Sequence, residues 1–265
     1  MKNLLILLFT FSITGTFAQQ PVIAVSDKGA NPKIMPVLWQ QTSAEYRALC
    51  YQAFNLATLR ISEIPSKELK KGNLAIVTDL DETILDNSCR EAQLIMDHRV
   101  HTSANWKEWS KLSSAGAVPG AVEFLNTCKE KGIQVFYISN RDTGEVESTV
   151  KNMAKLNMPY ADAAHMLFLS NTSSKETRRQ KVLEKYKIIM LMGDNLNDFT
   201  TAFEKSTIAV RRDEADKLKD EWGRKYIILP NSTYGEWENA LFNYQRNLTP
   251  EQKDSILFRM LKGYK

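Results

Sequence analysis

Cysteine and histidine are scarce in this sequence, and their positions argue against two kinds of metal site. The 265 residues include three cysteines and three histidines. Cys50, Cys89 and Cys128 can form at most one internal disulfide, so they do not build the framework of a disulfide-rich fold. The chain has no CxxC pair and no HExxH run, which argues against a thiolate zinc site and against a metalloprotease zinc site.

Long blocks of one charge are also missing. The 35 basic and 31 acidic residues are spread along the chain, and the formal net charge is +4. Because no long basic block stands out, we do not expect nucleic acid as a partner.

Apolar runs long enough to cross a membrane are absent too. Lys2 precedes the apolar run Leu4 to Phe9, and Ala18 ends a pattern typical of a cleaved signal peptide. No later stretch approaches the ~20 apolar residues of a membrane span. No cysteine stands at the cleavage point for lipid attachment. The sequence therefore predicts an exported protein, periplasmic or secreted, that is not a lipoprotein and has no transmembrane segment.

Short apolar runs alternate with segments of helical spacing in the rest of the chain. A helix is predicted between Pro119-Gly120 and Gly132, since proline near the start and glycine after the end are typical of helices. This alternation predicts an α/β fold, a doubly wound parallel sheet flanked by helices. The predicted strands span 74–78, 133–138, 166–169, 188–192, 207–210 and 226–229.

One stretch interrupts the alternation. Residues 87–118 have poor periodicity and hold Trp106 and Trp109 among polar neighbours, so we expect a small, mainly helical cap over the site. The predicted divisions are a signal peptide (1–18), an N-terminal arm and helices (19–73), a core (74–86 and 119–230), the cap (87–118) and C-terminal helices that pack with the cap (231–265).

Acidic, hydroxyl and amino side chains follow four of the predicted strands. In open parallel sheets, ligands bind beyond the carboxyl ends of the strands, so these side chains should meet at one edge. Hard oxygen ligands suit Mg²⁺, and a hydroxyl and an ammonium suit the oxygens of a phosphoryl group. The set therefore favours phosphoryl transfer over other reaction classes. Its members are Asp79, Asp81, Ser139, Lys175, Asp194 and Asp198.

Four motifs in this order resemble those of the haloacid dehalogenase (HAD) superfamily of aspartate-nucleophile phosphatases. They are DLDET at Asp79–Thr83, ISNR ending at Arg141, Lys175, and GDNLND at Gly193–Asp198. Three further runs resemble its exported class C acid phosphatases, the lipoprotein e family of 5′-nucleotidases. These runs are LWQQTSAEYRALCYQAFNLA at Leu38–Ala57, PGAVEFL at Pro119–Leu125 and STYGEW at Ser232–Trp237. The lipobox cysteine of the lipoprotein members is missing.

The resemblance implies a HAD-like fold and a two-step hydrolysis of a phosphomonoester. Asp79 would attack phosphorus and form an aspartyl-phosphate. Asp81 would act as general acid and then as general base. Ser139 and the amide of Asn140 would hold phosphoryl oxygens, and Lys175 would add a positive charge.

The resemblance also implies a magnesium site. The ion would be held by the Asp79 side chain, the backbone carbonyl of Asp81 and the Asp194 side chain. Asp198 would support the site by orienting metal-bound waters or Lys175.

Substrate recognition is implied by the same resemblance. The base of a nucleoside monophosphate would stack on Trp106 and Tyr234. Such stacking tolerates any base. Arg141 is a candidate substrate ligand and equally a candidate salt-bridge partner of Asp142 or Glu145. Dimers occur in the family, so a homodimer is expected.

Two other functions stay open. A broad acid phosphatase acting on sugar or aryl phosphates would use the same residues. A non-catalytic surface or binding protein would retain the fold, but it would have no reason to keep Asp79 and Asp81 together. A histidine-nucleophile acid phosphatase is excluded because the chain contains no RHG run.

Overall fold

The computed structural model describes residues 31–169 and 171–264. The predicted signal peptide lies outside these residues, as does most of the predicted N-terminal arm. The helices and strands belong to one compact unit that begins at Pro32. Within the described ranges, no helix is both long and apolar enough to cross a membrane.

Seven strands and eleven α-helices make up the regular structure of the described residues. The strands are β1 (Leu74–Thr78), β2 (Leu85–Asp86), β3 (Gly116–Ala117), β4 (Gln134–Asp142), β5 (Met166–Leu169), β6 (Lys187–Gly193) and β7 (Tyr226–Ile228). The helices are α1 (Ile34–Thr42), α2 (Ala44–Ser62), α3 (Ser66–Leu69), α4 (Ser88–Met96), α5 (Ser103–Leu112), α6 (Ala121–Glu130), α7 (Val146–Lys155), α8 (Glu176–Leu183), α9 (Ile208–Lys217), α10 (Glu236–Leu241) and α11 (Pro250–Met260).

Five parallel strands form the central sheet in the order β5-β4-β1-β6-β7. β1 lies in the middle, and Thr78 at its end is opposite Tyr137 of β4 and Met192 of β6. Chain order and spatial order differ, so helical connections must cross the sheet. The doubly wound α/β fold predicted from the sequence is confirmed.

Side chains of β1 are buried on both faces of the sheet, which is why its sequence is continuously apolar. On one face Ile76 belongs to a core that includes Phe54 of α2 and Phe124 of α6, whose rings lie 5.7 Å apart. On the other face Val77 packs in a second core with Val182 of α8. Helices on both faces hold β1, and hence the residues that follow it, in a fixed position.

A left-handed glycine allows α2 and α6 to approach each other. Gly120, just before α6, has φ +89°, a conformation that glycine adopts without steric cost. A Cβ at this position would come within 3.1 Å of the Phe54 ring. The predicted helix start at Pro119-Gly120 therefore marks a close contact as well as a helix boundary.

The insertion predicted at 87–118 begins and ends at a two-stranded antiparallel ribbon. β2 pairs with β3, and Leu85 lies opposite Ala117. Between them, α4 packs against α1 and α5 packs against α7. The Trp109 indole donates a hydrogen bond to Asn87 Oδ1 at 2.8 Å. The stretch is thus mainly helical, while the predicted division into domains stays a prediction.

The strand predicted over 207–210 is wrong, because these residues begin α9. Thr207 is the N-cap, and its hydroxyl oxygen accepts a hydrogen bond from the Val210 amide at 3.3 Å. The β-branched residues of this run imitate a strand, and a short apolar run does not distinguish the two structures. β7 already forms that edge of the sheet.

The C-terminal helices were expected to pack with the cap. α10 contacts α9, and none of the residues of α11, all of which the structure describes, is buried. Packing of these helices on the cap stays a prediction.

Candidate active site

The central strands deliver polar residues to one edge of the sheet. Asp79 follows β1, Ser139 lies near the end of β4 and Asp194 follows β6. The Asp79 amide donates to the Met192 carbonyl at 2.9 Å, so β1 and β6 stay paired up to the first acidic residue. The gathering of these residues follows from the parallel sheet.

Lys175 lies between two of the carboxylates. Its Nζ is 2.5 Å from Asp79 Oδ1 and 2.6 Å from Asp198 Oδ1. All three side chains are at least nine-tenths buried. Burial alone would lower the pKa of Lys175, but the charges of Asp198 and Asp79 outweigh it and raise this pKa, so the side chain is an ammonium.

Neighbouring donors fix the orientation of Asp198 and of a third carboxylate, Asp194. Asp198 Oδ2 accepts from the Asn195 amide at 3.0 Å. Asp194 accepts from Asn231 Nδ2 at 2.8 Å and from the Thr83 hydroxyl at 3.2 Å. Each carboxylate is therefore oriented by contacts outside the cluster.

Asp79, Asp194 and Asp198 form a group that fits a metal ion. Each offers one carboxylate oxygen, and these oxygens lie within 4.8 Å of one another. Burial raises the pKa of Asp194 to about 7, and the charge of Asp198 adds to this effect. Burial also raises the pKa of Asp79 well above its ordinary value. A cation would compete with a proton for Asp194, and three carboxylates suit a hard divalent ion.

Asp81 does not point into this cluster. Its carboxylate makes a salt bridge with Arg141, with Nη2 2.6 Å and Nε 3.1 Å from Oδ1. Asn87 Nδ2 also donates to Oδ1 at 2.9 Å, and the Ser139 hydroxyl lies 3.4 Å from Oδ2. Arg141, predicted to bind substrate or to pair with Asp142 or Glu145, thus has Asp81 as its salt-bridge partner.

Ser139 is buried and Asn140 is exposed. The Arg141 amide donates to the Ser139 hydroxyl oxygen at 3.1 Å. The Asn140 side chain accepts from Arg178 Nη2 at 2.6 Å. The part of β4 that carries these two residues is thus held by hydrogen bonds from Arg141 and Arg178.

The two aromatic candidates, Trp106 and Tyr234, lie near the Asp79–Thr83 segment. Trp106 contacts an arginine that pairs with this segment, and Tyr234 contacts the segment itself. Trp106 is half-buried, and the guanidinium carbons of Arg90 and Arg141 lie 5.2 and 5.4 Å from its ring centroid. The Tyr234 hydroxyl donates to Glu82, a buried residue with φ +56°. Burial and the charge of Asp81 raise the pKa of Glu82 well above its ordinary value.

Sequence reasoning missed several residues that hold the site. Arg178 and Arg179, to which the sequence analysis assigned no role, are both buried. They follow Lys175 by three and four residues, and on a helix this spacing places side chains next to each other. The spacing could therefore have predicted that both arginines lie beside Lys175. Three hydrogen-bond donors of the site were also missed: Thr83, Asn87 and Asn231. Each follows a strand or the DLDE run, and residues beyond strand ends are expected to lie near the site.

Gly193 at the end of β6 allows the cluster to form. A Cβ there would overlap the carboxylate of Asp198. Glycine therefore lets this carboxylate lie against the backbone of the strand.

Comparison with known proteins agrees with this geometry. A family model described as HAD superfamily, subfamily IIIB (Acid phosphatase) matches residues 18–237. The structure of the class C acid phosphatase from Bacillus anthracis is 36% identical, with a TM-score of 0.81, over 88% of this chain and 98% of that chain. A structure of the class C acid phosphatase from Bacillus anthracis with tungstate bound is 35% identical, with the same TM-score and coverage.

The five-stranded parallel sheet flanked by helices is a HAD-like fold. The chain belongs to the acid phosphatases of HAD subfamily IIIB and has the fold of the class C enzymes. It is a hydrolase that acts on small-molecule phosphate esters.

Proposed function

We propose that this protein is an exported, Mg²⁺-dependent 5′-nucleotidase that works through an aspartyl-phosphate on Asp79. The observation that carries the proposal is the position of the Asp79 carboxylate. It is buried beside an ammonium and two further carboxylates at the carboxyl edge of the sheet. A nucleophile needs this setting, because a cation must offset its repulsion from a phosphoryl group.

The proposed reaction has two steps. In the first, an Asp79 oxygen attacks phosphorus, the bond from phosphorus to the ester oxygen breaks, and Asp81 gives its proton to that oxygen. In the second, water attacks phosphorus, Asp81 takes a proton from the water, and the bond from phosphorus to Asp79 breaks. Arg141 and Asn87 fix the direction of the Asp81 carboxylate, which supports its role as the base of the second step.

The phosphoryl group would be held by residues of three segments. Ser139 and the amide of Asn140 would bind its oxygens, and Lys175 would contribute charge. Tungstate is a tetrahedral oxyanion like phosphate, so its binding to the Bacillus anthracis class C acid phosphatase supports such a site.

Mg²⁺ is the proposed cofactor. Asp79 and Asp194 would hold it together with the backbone carbonyl of Asp81, and Asp198 would support the site through Lys175. When bound, the ion would neutralise charge on the phosphoryl oxygens. The donor set supports it, since it offers hard oxygens without thiolate or imidazole.

Nucleoside monophosphates are the proposed substrates. Trp106 lies against Arg141, the salt-bridge partner of Asp81. Tyr234 contacts Glu82, which follows Asp81 in the chain. Two aromatic rings from separate segments thus flank the segment that bears the nucleophile. Stacking of a base would contribute about 1–3 kcal/mol.

Export and assembly complete the proposal. Export rests on the apolar run Leu4 to Phe9 and the pattern ending at Ala18. A homodimer is proposed from the family resemblance.

The test measures phosphate release from nucleoside monophosphates and from simple sugar and aryl phosphates. Wild type and Asp79→Asn are each assayed with Mg²⁺ and with chelator. We expect Mg²⁺-dependent release from wild type, fastest with nucleotides, and none from the variant. Acid-quench mass spectrometry of wild type should show a phosphoryl adduct on Asp79.

Two results would change the proposal. Equal rates on all esters, unaffected by Trp106→Ala and Tyr234→Ala, would replace the nucleotidase with a broad acid phosphatase. No release under any condition would favour a binding protein that retains the fold.

A further inference from the structure

Arg178 connects strand β4 with the segment that precedes α8. It lies in the first turn of α8 and is 4% exposed. Its Nη1 donates to the Ser139 carbonyl at 2.6 Å, and its Nη2 donates to Asn140 Oδ1 at 2.6 Å. Nη2 also lies 3.2 Å from the carbonyls of Ser173 and Ser174, which directly precede Lys175.

The partners of this guanidinium are unusual for a buried arginine. They are main-chain carbonyls and one amide oxygen, and among the described residues none of its salt-bridge or hydrogen-bond partners is a carboxylate. The charges of Asp79 and Asp198 act on this guanidinium without a direct bond, so its burial depends mainly on the hydrogen bonds it donates. These bonds stabilise the spacing between Ser139–Asn140 in β4 and the segment before Lys175.

The neighbouring Arg179 makes a different connection. Its Nη1 donates to the Asp198 carbonyl at 2.8 Å, and its Nη2 pairs with Glu176 at 2.7 Å. The first turn of α8 thus reaches β4 and the segment that follows β6. Arg178 contacts β4, where the phosphoryl oxygens are expected.

We propose that Arg178 is a positioning residue for phosphoryl binding, which fixes Ser139 and Asn140 of β4 relative to Lys175. The inference rests on the proposed function of these three residues. A lysine can replace it only in part, because a planar guanidinium donates several bonds in fixed directions and an ammonium does not. Misplacing donors by about 1 Å can cost roughly a hundredfold in rate.

The test compares wild type with Arg178→Ala and Arg178→Lys. The binding of inorganic phosphate is measured by calorimetry, and kcat and KM are measured on an aryl phosphate. We expect Arg178→Ala to weaken phosphate binding at least about tenfold and to lower kcat/KM about a hundredfold. Arg178→Lys should be intermediate. Added guanidinium should restore much of the loss in Arg178→Ala.

Arg60→Ala is the matched control. Arg60 Nε donates to the Gly223 carbonyl at 2.9 Å, so this variant also removes an arginine bond to the main chain. We expect it to change the melting temperature without changing kcat, KM or the affinity for phosphate. Guanidinium should have no effect on it.

A folded Arg178→Ala protein with wild-type KM and phosphate affinity would overturn the inference alone. Wild type that neither binds phosphate nor hydrolyses any ester would overturn the proposed function and this inference together. If Arg178→Ala does not fold, Asn140→Ala tests the inference instead. It removes one acceptor of the Arg178 hydrogen bonds and keeps the Asn140 backbone amide. It should weaken phosphate binding several-fold, and unchanged binding would contradict the inference.

Discussion

At the scale of single residues, the ammonium of Lys175 has the clearest role in stability. It faces Asp79 and Asp198, both buried. Lys175→Met would leave two buried carboxylates without their counter-ion, and we expect the metal-free protein to lose about 3 kcal/mol of unfolding free energy. Urea denaturation at neutral pH in chelator measures this loss.

Lys217→Met provides the control for that measurement. Lys217 pairs with Glu214 at 2.6 Å on the surface, where solvent screens the pair. The control should unfold at the wild-type urea concentration. If Lys175→Met did so too, the ion pairs at the site would contribute nothing to stability.

Asn231 tests the contacts behind the acidic cluster. Its Nδ2 bond to Asp194 opposes the burial that raises the pKa of that carboxyl, so Asn231→Ala should raise this pKa further. We expect the variant to bind Mg²⁺ at least about tenfold more weakly. Asn239→Ala removes a similar bond, to the half-buried Glu236 outside the cluster, and should leave the affinity unchanged. Equal affinities in both variants would contradict the prediction.

The sequence predicted which residues meet but not how each one is paired. The strand-end rule brought Asp79, Lys175, Asp194 and Asp198 to one place. Arg141 shows the limit, because its neighbours in sequence offered Asp142 and Glu145 as partners. Its actual partner, Asp81, is 60 residues away in the chain. Such a choice depends on the relative position of two loops, which local sequence does not contain.

At the scale of elements, the cap of α9 gives a direct test of the corrected assignment. Thr207→Ala removes the side-chain acceptor for the Val210 amide and should cost about 1 kcal/mol of unfolding free energy. Thr207→Asn keeps an acceptor and should cost much less. A strand at 207–210 would instead tolerate alanine and asparagine about equally. Thermal or urea unfolding of the two variants distinguishes these outcomes.

Elements differ in how well their sequence predicts them. β5 was predicted at its observed bounds, since a short apolar run between polar segments is typical of a strand, and its residues alternate between buried and half-buried. The burial of Arg178 and Arg179 was not predicted, because charged residues are almost never buried unless paired. Apart from Glu176, their partners are oxygens of other segments, which the composition of α8 does not show.

At the scale of the whole molecule, stability should depend on pH and on metal together. The pKa of Asp194 is about 7 in the metal-free fold, above the value near 3.9 of an unfolded chain. A raised folded pKa stabilises the fold at low pH, and this contribution is lost as pH rises towards 7. Mg²⁺ binds the ionised form, so it should stabilise the protein most where the metal-free form is weakest.

The measurement is the melting temperature with Mg²⁺ and with chelator. We expect the difference between the two to increase from about pH 5 to about pH 8. In Asp194→Asn the melting temperatures with Mg²⁺ and with chelator should differ little at either pH. A difference in wild type that does not vary with pH would show that protons and Mg²⁺ do not compete at this cluster.

The absence of a side chain at Gly193 has a consequence for descent. A methyl group there would overlap the Asp198 carboxylate. Lineages under selection for hydrolysis must keep this glycine codon, whereas a duplicated gene released from that selection is free to drift to alanine. Reading this one codon in a descendant gene would therefore suggest whether its product still turns over phosphate esters or has kept only the scaffold.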